Sequence, residues 1–203
     1  MNIEEYRTVF LVATAIVALL VASPALSRLL VYPRTEFFSE LWLLGPNHMA
    51  EDYPFNISRN QNYKVFLGIG NRLGYCAYYL VEVKFRNQTQ SAPTALGPLG
   101  NRTPSSLPSL FNITAFVGDE EVWEMPLTFS FNYGFDESRL QAVFHNMTLN
   151  DVALNLDGYV TRWNSTRRVF YGDLLFELWL YNKTAGNFQY HERFLSLLLN
   201  ITR

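Results

Sequence analysis

Cysteine is nearly missing from this chain: Cys76 is the only one in 203 residues, so no intrachain disulfide can form and the fold must hold by packing. Histidine is almost as scarce. His48, His145 and His191 stand far apart, with none of the H-x-x-x-H or H-E-x-x-H spacing by which a helix presents two ligands to one metal. Also absent are a glycine-rich phosphate loop, a G-x-S-x-G nucleophile turn and a Cys/His pair at ligand spacing. No metal, cofactor or nucleophilic hydrolysis is expected from such a chain. Charged residues are only 17% and the formal net charge is −2; with no basic surface to displace counterions, nucleic acid is a poor partner.

What is present is apolar and aromatic. Hydrophobic residues make up 49%, and the aromatics are mostly 16 Phe and 12 Tyr, which suit a pleated, half-buried surface better than helix packing. The length accommodates one domain with a real core plus one membrane segment.

That segment is plain. Residues 9–22 are almost wholly apolar, and counting on to residue 27 gives a run between Arg7 and Arg28 long enough to cross a bilayer. A cleaved signal peptide competes, because Ala22, Ser23 and Ala25 follow the apolar core like a processing site. Glu4 and Glu5 make a poor basic leader, however, and Pro24 disturbs the site, so an uncleaved anchor is the expectation. Its parts are a short cytoplasmic stretch at 1–8, a lipid-embedded anchor at 9–31 and an extracytoplasmic domain at 32–203. Flanking charge alone opposes this orientation slightly, with Arg7 inside against Arg28 and Arg34 outside.

The sequons supply the orientation instead. N-x-[S/T] occurs at Asn56, Asn87, Asn101, Asn112, Asn146, Asn164, Asn182 and Asn200, each with a non-proline middle residue. Composition alone gives roughly two such triplets by chance. All eight follow the apolar run. They imply translocation of everything beyond about residue 30, covalent N-glycans, and solvent exposure of each occupied asparagine.

Beyond the anchor the pattern alternates with period two. Residues 36–44 and 63–71 read as the first two strands, the second with Gly68 and Gly70 on a small face that suggests close backbone approach. Ala77, Tyr79, Val81, Val83 and Phe85 alternate with polar partners in a third strand, expected to pair with the second as a hairpin across 71–74. Cys76, at the head of this run, is expected to be a small buried thiol, with an intermolecular bridge or lipid attachment as the alternative. Residues 88–109, rich in Pro, Ser, Thr and Gly, form a long surface connection of a length that can link two sheets. Strands follow at 110–117 and at 122–133, the latter interrupted by Pro126. Residues 136–144 are the one stretch here that suits a helix, with Asp136 as N-cap. Residues 152–160, turning at Asp157-Gly158, suit a hairpin. Two strong strands close the chain, at 169–181 and 188–199. Seven to nine strands with regular turns give an all-β domain, an immunoglobulin-like β-sandwich behind one transmembrane helix.

Several segments resemble the domain of unknown function 1616 family: residues 36–54 (EFFSELWLLGPNHMAEDYP), 65–71, 122–131 (VWEMPLTFSF) and the closing strands at 175–182 and 190–200. The most specific element is Leu44-Gly45-Pro46 followed by Ala50-Glu51-Asp52-Tyr53-Pro54. The resemblance implies an archaeal membrane protein with an extracytoplasmic β-sandwich in a glycosylated envelope, and it lends no activity. This chain departs from the family in having one apolar helix rather than several, in residues 135–168, which look inserted, and in Asn71-Arg72-Leu73-Gly74, where an acidic, histidine-containing turn is common.

Candidate chemistry is sparse. Glu51 and Asp52 beside Tyr53 suit a loop clamp through carboxylate-to-backbone bonds, a partner contact, or a hard cation. The run at 155–158 resembles part of a calcium loop, but Ala153 stands where the first carboxylate belongs, so it reads as a turn. No spacing selects a carboxylate pair for glycoside hydrolysis. Trp123 and Trp163, near turns, are the candidates for sugar stacking. The sequon-free stretch 34–53, with Trp42, Glu51, Asp52 and Tyr53, is the preferred partner contact. The expectation is a non-enzymatic envelope protein, a structural or accessory subunit working with other membrane or surface-layer proteins. The alternative is a carbohydrate-binding or glycan-processing domain.

Overall fold

The computed structural model of the protein describes residues 3–29, 36–98 and 100–202. It divides into two compact units, Met1–Phe37 and Phe38–Arg203.

The first unit carries one helix, α1 (Ile3–Leu29). Its span Tyr6–Ser23 has a mean hydropathy of 1.9 and buries nothing within the molecule. Its Thr14 hydroxyl is satisfied by the Phe10 carbonyl one turn earlier, at 2.8 Å. The helix is compatible with a single-pass membrane anchor, and a signal sequence has the same character. The last two residues of the expected anchor, 30 and 31, lie outside the described residues.

The second unit is all β: β1 (Phe38–Leu44), β2 (Asn56–Ile57), β3 (Tyr63–Arg72), β4 (Ala77–Asn87), β5 (Phe111–Val117), β6 (Val122–Asp136), β7 (Gln141–Leu149), β8 (Val152–Asn155), β9 (Val160–Asn164), β10 (Val169–Asn182) and β11 (Asn187–Ile201). One layer runs β1-β3-β6-β7 with β8 beside β7, and the other runs β5-β4-β10-β11-β2. β9 pairs with β7 at Val143↔Val160 and with β10 at Phe170↔Trp163, so the layers are one continuous sheet curled on itself. The all-β class therefore holds, while the immunoglobulin-like arrangement is not confirmed.

Alternation builds the core. Tyr79, Val81, Val83 and Phe85 of β4 face Leu127, Phe129, Phe131 and Tyr133 of β6, all of them buried. Phe85 meets Phe131 at 5.6 Å and Phe144 at 4.8 Å between ring centres, locking the layers with offset aromatic contacts. Tyr133 donates its hydroxyl to the carbonyls of Ile57 and Thr202, both at 2.8 Å, pinning β2 and the end of β11. Burial pushes that hydroxyl up to about 12. On β3, a Cβ added to Gly68 would lie 2.1 Å from the Trp42 ring, so what the small face receives there is a side chain and not the expected backbone.

Pro126 does not interrupt β6. Pairing with β7 begins only at Phe129↔Leu149, and Asn150 takes the neighbouring place: its Oδ1 accepts from Thr128 N at 2.8 Å and its Nδ2 donates to the Pro126 carbonyl at 3.2 Å.

Four local expectations are corrected. β3 and β4 form no hairpin; β3 pairs with β1 and β6, β4 with β5 and β10. Each carries apolar residues that must meet across the core, so the link between them arches from layer to layer. The expected helix at 136–144 is a turn leading into β7, because Leu140 takes a left-handed φ of 49° and the core takes Ala142 and Phe144, then Met147 and Leu149 beyond a register shift. Residues 152–160 are not a hairpin either, since β8 and β9 both pair with β7. The connection at 88–109 returns to the layer it left, joining the neighbours β4 and β5.

Candidate functional site

Four polar side chains meet at the end of the domain where β1 begins. Ser39 and Asn71 are buried on β1 and β3, Tyr79 is buried on β4, and half-buried His191 lies on β11. Asn71 Nδ2 donates to the carbonyls of Tyr75, Val117 and Gly118 at 2.7, 2.8 and 3.1 Å. Its Oδ1 must therefore accept, and it takes Leu73 N and the Tyr79 hydroxyl, both at 3.1 Å. With its proton committed to Asn71, Tyr79 can only accept from Ser39 Oγ at 2.6 Å. Ser39 in turn accepts from His191 Nε2 at 2.9 Å. Protons thus run in one direction, His191 to Ser39 to Tyr79 to Asn71. His191 is the Nε2–H tautomer and donates to the serine, which is the wrong polarity for activating a nucleophile. Burial, then Arg193, holds the His191 pKa below the ordinary imidazole range, so it is neutral at pH 7.

A bulge makes this contact. The β10–β11 register jumps from Leu178↔Arg193 to Trp179↔Tyr190, leaving His191 and Glu192 unopposed, with Glu192 at φ 56°. His191 is thereby turned toward Ser39, and Glu192 toward Gly100 N at 2.5 Å.

Beside the chain opens a cleft of about 900 Å³. Pairing of β4 with β10 ends at Tyr79↔Leu180, and beyond it the head of β4 and the tip of the β10–β11 hairpin part. Tyr78 stacks on Phe116 with ring centres 4.1 Å apart and planes 9° apart, and Phe188 lies 5.1 Å from Tyr78. Phe116 is 71% exposed. His191, Asn182, Lys183 and Gln189 supply the polar part of the lining. Cys76 lines the cleft too and is exposed, correcting the buried-thiol expectation. It precedes β4, so the strand's alternation does not carry it inward.

On the outer face of the same layer, under the 88–109 connection, lies a buried ionic cluster. Lys84 Nζ donates to Glu177 at 2.8 Å and to Glu82 at 2.9 Å. The other Glu177 oxygen accepts Ser105 N at 3.0 Å and Ser105 Oγ at 2.5 Å. Arg86 pairs with Asp173 alongside. Burial is the largest single influence and pulls the Lys84 pKa down, but the hydrogen bonds it donates to Glu177 and Glu82 and the charges of those carboxylates together outweigh it and hold the pKa above the ordinary lysine value. Glu82 and Glu177 do face each other across β4 and β10, yet both oxygens of Glu177 are engaged and none of its surface is exposed. Glu82 is partly exposed, but Glu177 is closed to a glycoside, so the two do not form an accessible carboxylate pair. Among the described residues, no three His, Cys, Asp or Glu side chains converge as a metal site would need.

The residues singled out in the sequence are dispersed. The motif at 44–54 folds on itself through its backbone: Gly45 N donates to the Met49 carbonyl at 2.7 Å, and a Cβ on Gly45 would meet the Glu51 carbonyl oxygen at 1.9 Å. Tyr53 Oη donates to the Leu43 carbonyl at 2.7 Å. Main chain and Tyr53, rather than the exposed carboxylates of Glu51 and Asp52, clamp this loop. Tyr53, Phe55 and Leu43 line a groove of about 360 Å³ with Leu195 and Leu197, between the edges of β1 and β11. Trp42 is half-buried over Gly68, and Trp123 packs against the core. Trp163 is 40% exposed, in a separate groove with Leu140, Arg168 and Phe170. Of the expected contact stretch, residues 34 and 35 fall outside the described residues. None of the eight sequon asparagines is buried. Asn56 and Asn200 are opposed on β2 and β11, with Asn200 Nδ2 donating to Asn56 Oδ1 at 2.7 Å.

Nothing in the spacing of Ser39, Asn71, Tyr79 and His191 marks them as one group. The available signal was polar residues falling at inward positions of an apolar alternation, at strand ends where two layers close.

Comparison with known proteins adds the following. The model of a domain of unknown function, DUF1616, matches residues 33–152; that range takes in part of the supposed insertion and leaves out the closing strands. No curated protein sequence matches the chain. Solved structures of a β-glucosidase from Listeria innocua are similar at a distance. The complex with glucose gives 9% identity and a TM-score of 0.36 over 85% of this chain. The complex with gluconolactone gives 8% and 0.37 over the same share. This chain spans only 17% of those enzymes' length, and a likeness at that level carries no argument about activity. The match over more than half of the sequence settles the kinship: the chain belongs to the DUF1616 family, a family of unknown function.

Proposed function

We propose that this protein is a membrane-anchored, N-glycosylated component of the cell envelope that acts by binding, as a structural or accessory subunit of a membrane or surface complex. The observation that carries the reading is the placement of the eight sequon asparagines. They arise in both layers and in the loops, all after the one apolar helix, and none is buried. An array four times richer than chance, wholly on the surface, is what an acceptor array requires.

The contact region follows from the sheet edges. β1 has β3 on one side only, and β11 beyond β10 meets β2 over just two residue pairs. Between these edges lies the Leu43–Leu195 groove, with Met49, Tyr53 and Phe55 exposed near it. Free edges flanking an apolar groove suit a protein partner. The test is gentle detergent extraction with native mass measurement, before and after deglycosylation. A high-mass assembly carrying several glycans supports the reading, and a lone unmodified chain overturns it. Carbohydrate binding is the second reading, favoured by the exposure of Trp163 beside Arg168. Saturable sugar binding that is lost in Trp163→Ala, with the subunit assembly absent, would select it.

A further inference from the structure

We propose that the cleft between the head of β4 and the β10–β11 hairpin holds the carbohydrate borne by Asn182, so that this one glycan is packed against the protein rather than extended into solvent. The inference rests on the reading above, that sequons of this chain are occupied.

The acceptor is part of the cleft it would fill. Asn182 is the last residue of β10 and belongs to the cleft lining. Its Oδ1 accepts Thr184 N at 2.9 Å and Ala185 N at 3.1 Å, and its Nδ2 donates to Gln189 Oε1 at 2.9 Å. The side chain therefore has a fixed direction. Attachment of a sugar replaces one of the two Nδ2 hydrogens and leaves the other for Gln189, so modification keeps this turn intact.

The lining has the chemistry of a pyranose. The C–H face of a sugar ring is apolar and wants an aromatic surface, while its hydroxyls want neutral donors and acceptors at the rim. Phe116, stacked on Tyr78, stands 71% exposed on β5, where the flanking outward positions are the exposed Asn112 and Thr114. An apolar ring alternating with polar residues on an outward face is accounted for if something covers it. His191 carries its proton on Nε2, toward Ser39, which leaves Nδ1 as an acceptor for a hydroxyl. Lys183 is the only residue of the lining with a full charge at pH 7, which suits a neutral or weakly acidic saccharide and not a strongly charged ligand.

A mutant cycle on the full-length protein from its native membrane tests this, with intact mass and thermal midpoint as readouts. Thr184→Ala abolishes the sequon while retaining every bond of Asn182, because Thr184 contributes only its backbone N–H. Phe116→Ser removes the shelf at an exposed site. The expected result is that T184A loses the mass of one glycan and lowers Tm by on the order of 3 °C, that F116S lowers it similarly, and that the double variant falls no further. If T184A loses the glycan but the two shifts add, or neither appears, the glycan projects into solvent and the proposal is wrong. If T184A has unchanged mass, Asn182 is unmodified, and the glycosylation reading fails at this site together with the proposal. Saturable binding of added saccharide to fully glycosylated wild type at this cleft would show it open, and would equally overturn occupancy in cis.

Discussion

Replacing Lys84 by methionine perturbs the ionic cluster beneath the 88–109 connection with almost no change in side-chain length. Lys84 is 3% exposed, its ammonium is shared between Glu177 and Glu82, and Glu177 is fully buried. The substitution leaves Glu177 with its two Ser105 bonds and with the carboxylate of Glu82 opposite it. Breaking a buried pair by removing one partner costs about 3–5 kcal/mol, because the survivor keeps its desolvation penalty without its counter-charge. At roughly 2–4 °C per kcal/mol for a domain of this size, the midpoint should fall by about 10 °C. Glu177→Gln in the same background removes the stranded charge while keeping an acceptor for Ser105, and should recover at least about 1 kcal/mol. Urea unfolding followed by tryptophan fluorescence on the three proteins supplies the numbers. A K84M variant within 1 kcal/mol of wild type, or no recovery in K84M/E177Q, would show that water reaches Glu177 and that the cluster is not buried as described. The wild-type contribution has a definite pH window. A lysine whose folded pKa is raised stabilises fully below its unfolded value of 10.5 and loses that stabilisation as pH rises through the folded value.

Three further outcomes are expected. His191 has a folded pKa depressed below 6.5, first by burial, so its contribution is present above pH 6.5 and is lost as pH falls through the folded value; His191→Gln should flatten the loss of Tm between pH 7 and 5, and an unchanged slope would remove His191 from the buried chain. Cys76, exposed in the cleft, should be labelled by a maleimide without denaturant in the folded T184A variant, whose cleft carries no glycan, whereas labelling that requires denaturant there would restore the buried reading. Tyr133→Phe takes the hydroxyl away from the Thr202 carbonyl, while the Ile57 carbonyl keeps Thr202 N and Oγ1, and should cost about 1 kcal/mol, with faster amide exchange confined to β2 and the end of β11; a neutral variant would refute the pinning role.

The sequence reveals strands where alternation is strict and conceals their partners. The two closing strands, and the inward set Tyr79, Val81, Val83 and Phe85, are legible because each burial choice repeats every second residue. The link between β3 and β4 suggests a hairpin because a short polar link looks alike whether it turns within a layer or arches between layers. What decides is Asn71, whose amide ties the arch to carbonyls 46 and 47 residues away. Asp136 misled for a similar reason. Its carboxylate accepts from Ser138 Oγ at 2.6 Å and Arg139 N at 3.1 Å, the same local chemistry that opens a helix, here used to close a turn. The candidate site was less legible than the fold. Its residues come from β1, β3, β4 and β11, and Ser39 and His191 are 152 positions apart, so no local spacing announces them. The aromatic cleft likewise depends on where β4 and β10 cease to pair, a property of register and not of either segment alone.

Intact mass of the protein purified from its own membrane, before and after chemical deglycosylation, tests the central claim most directly. An anchored glycoprotein predicts a chain that retains residues 1–29, carries several discrete glycan increments above the 203-residue polypeptide and migrates in a larger assembly on a native gel. A chain cleaved after the apolar helix, or one whose mass equals that of the bare polypeptide, would contradict it.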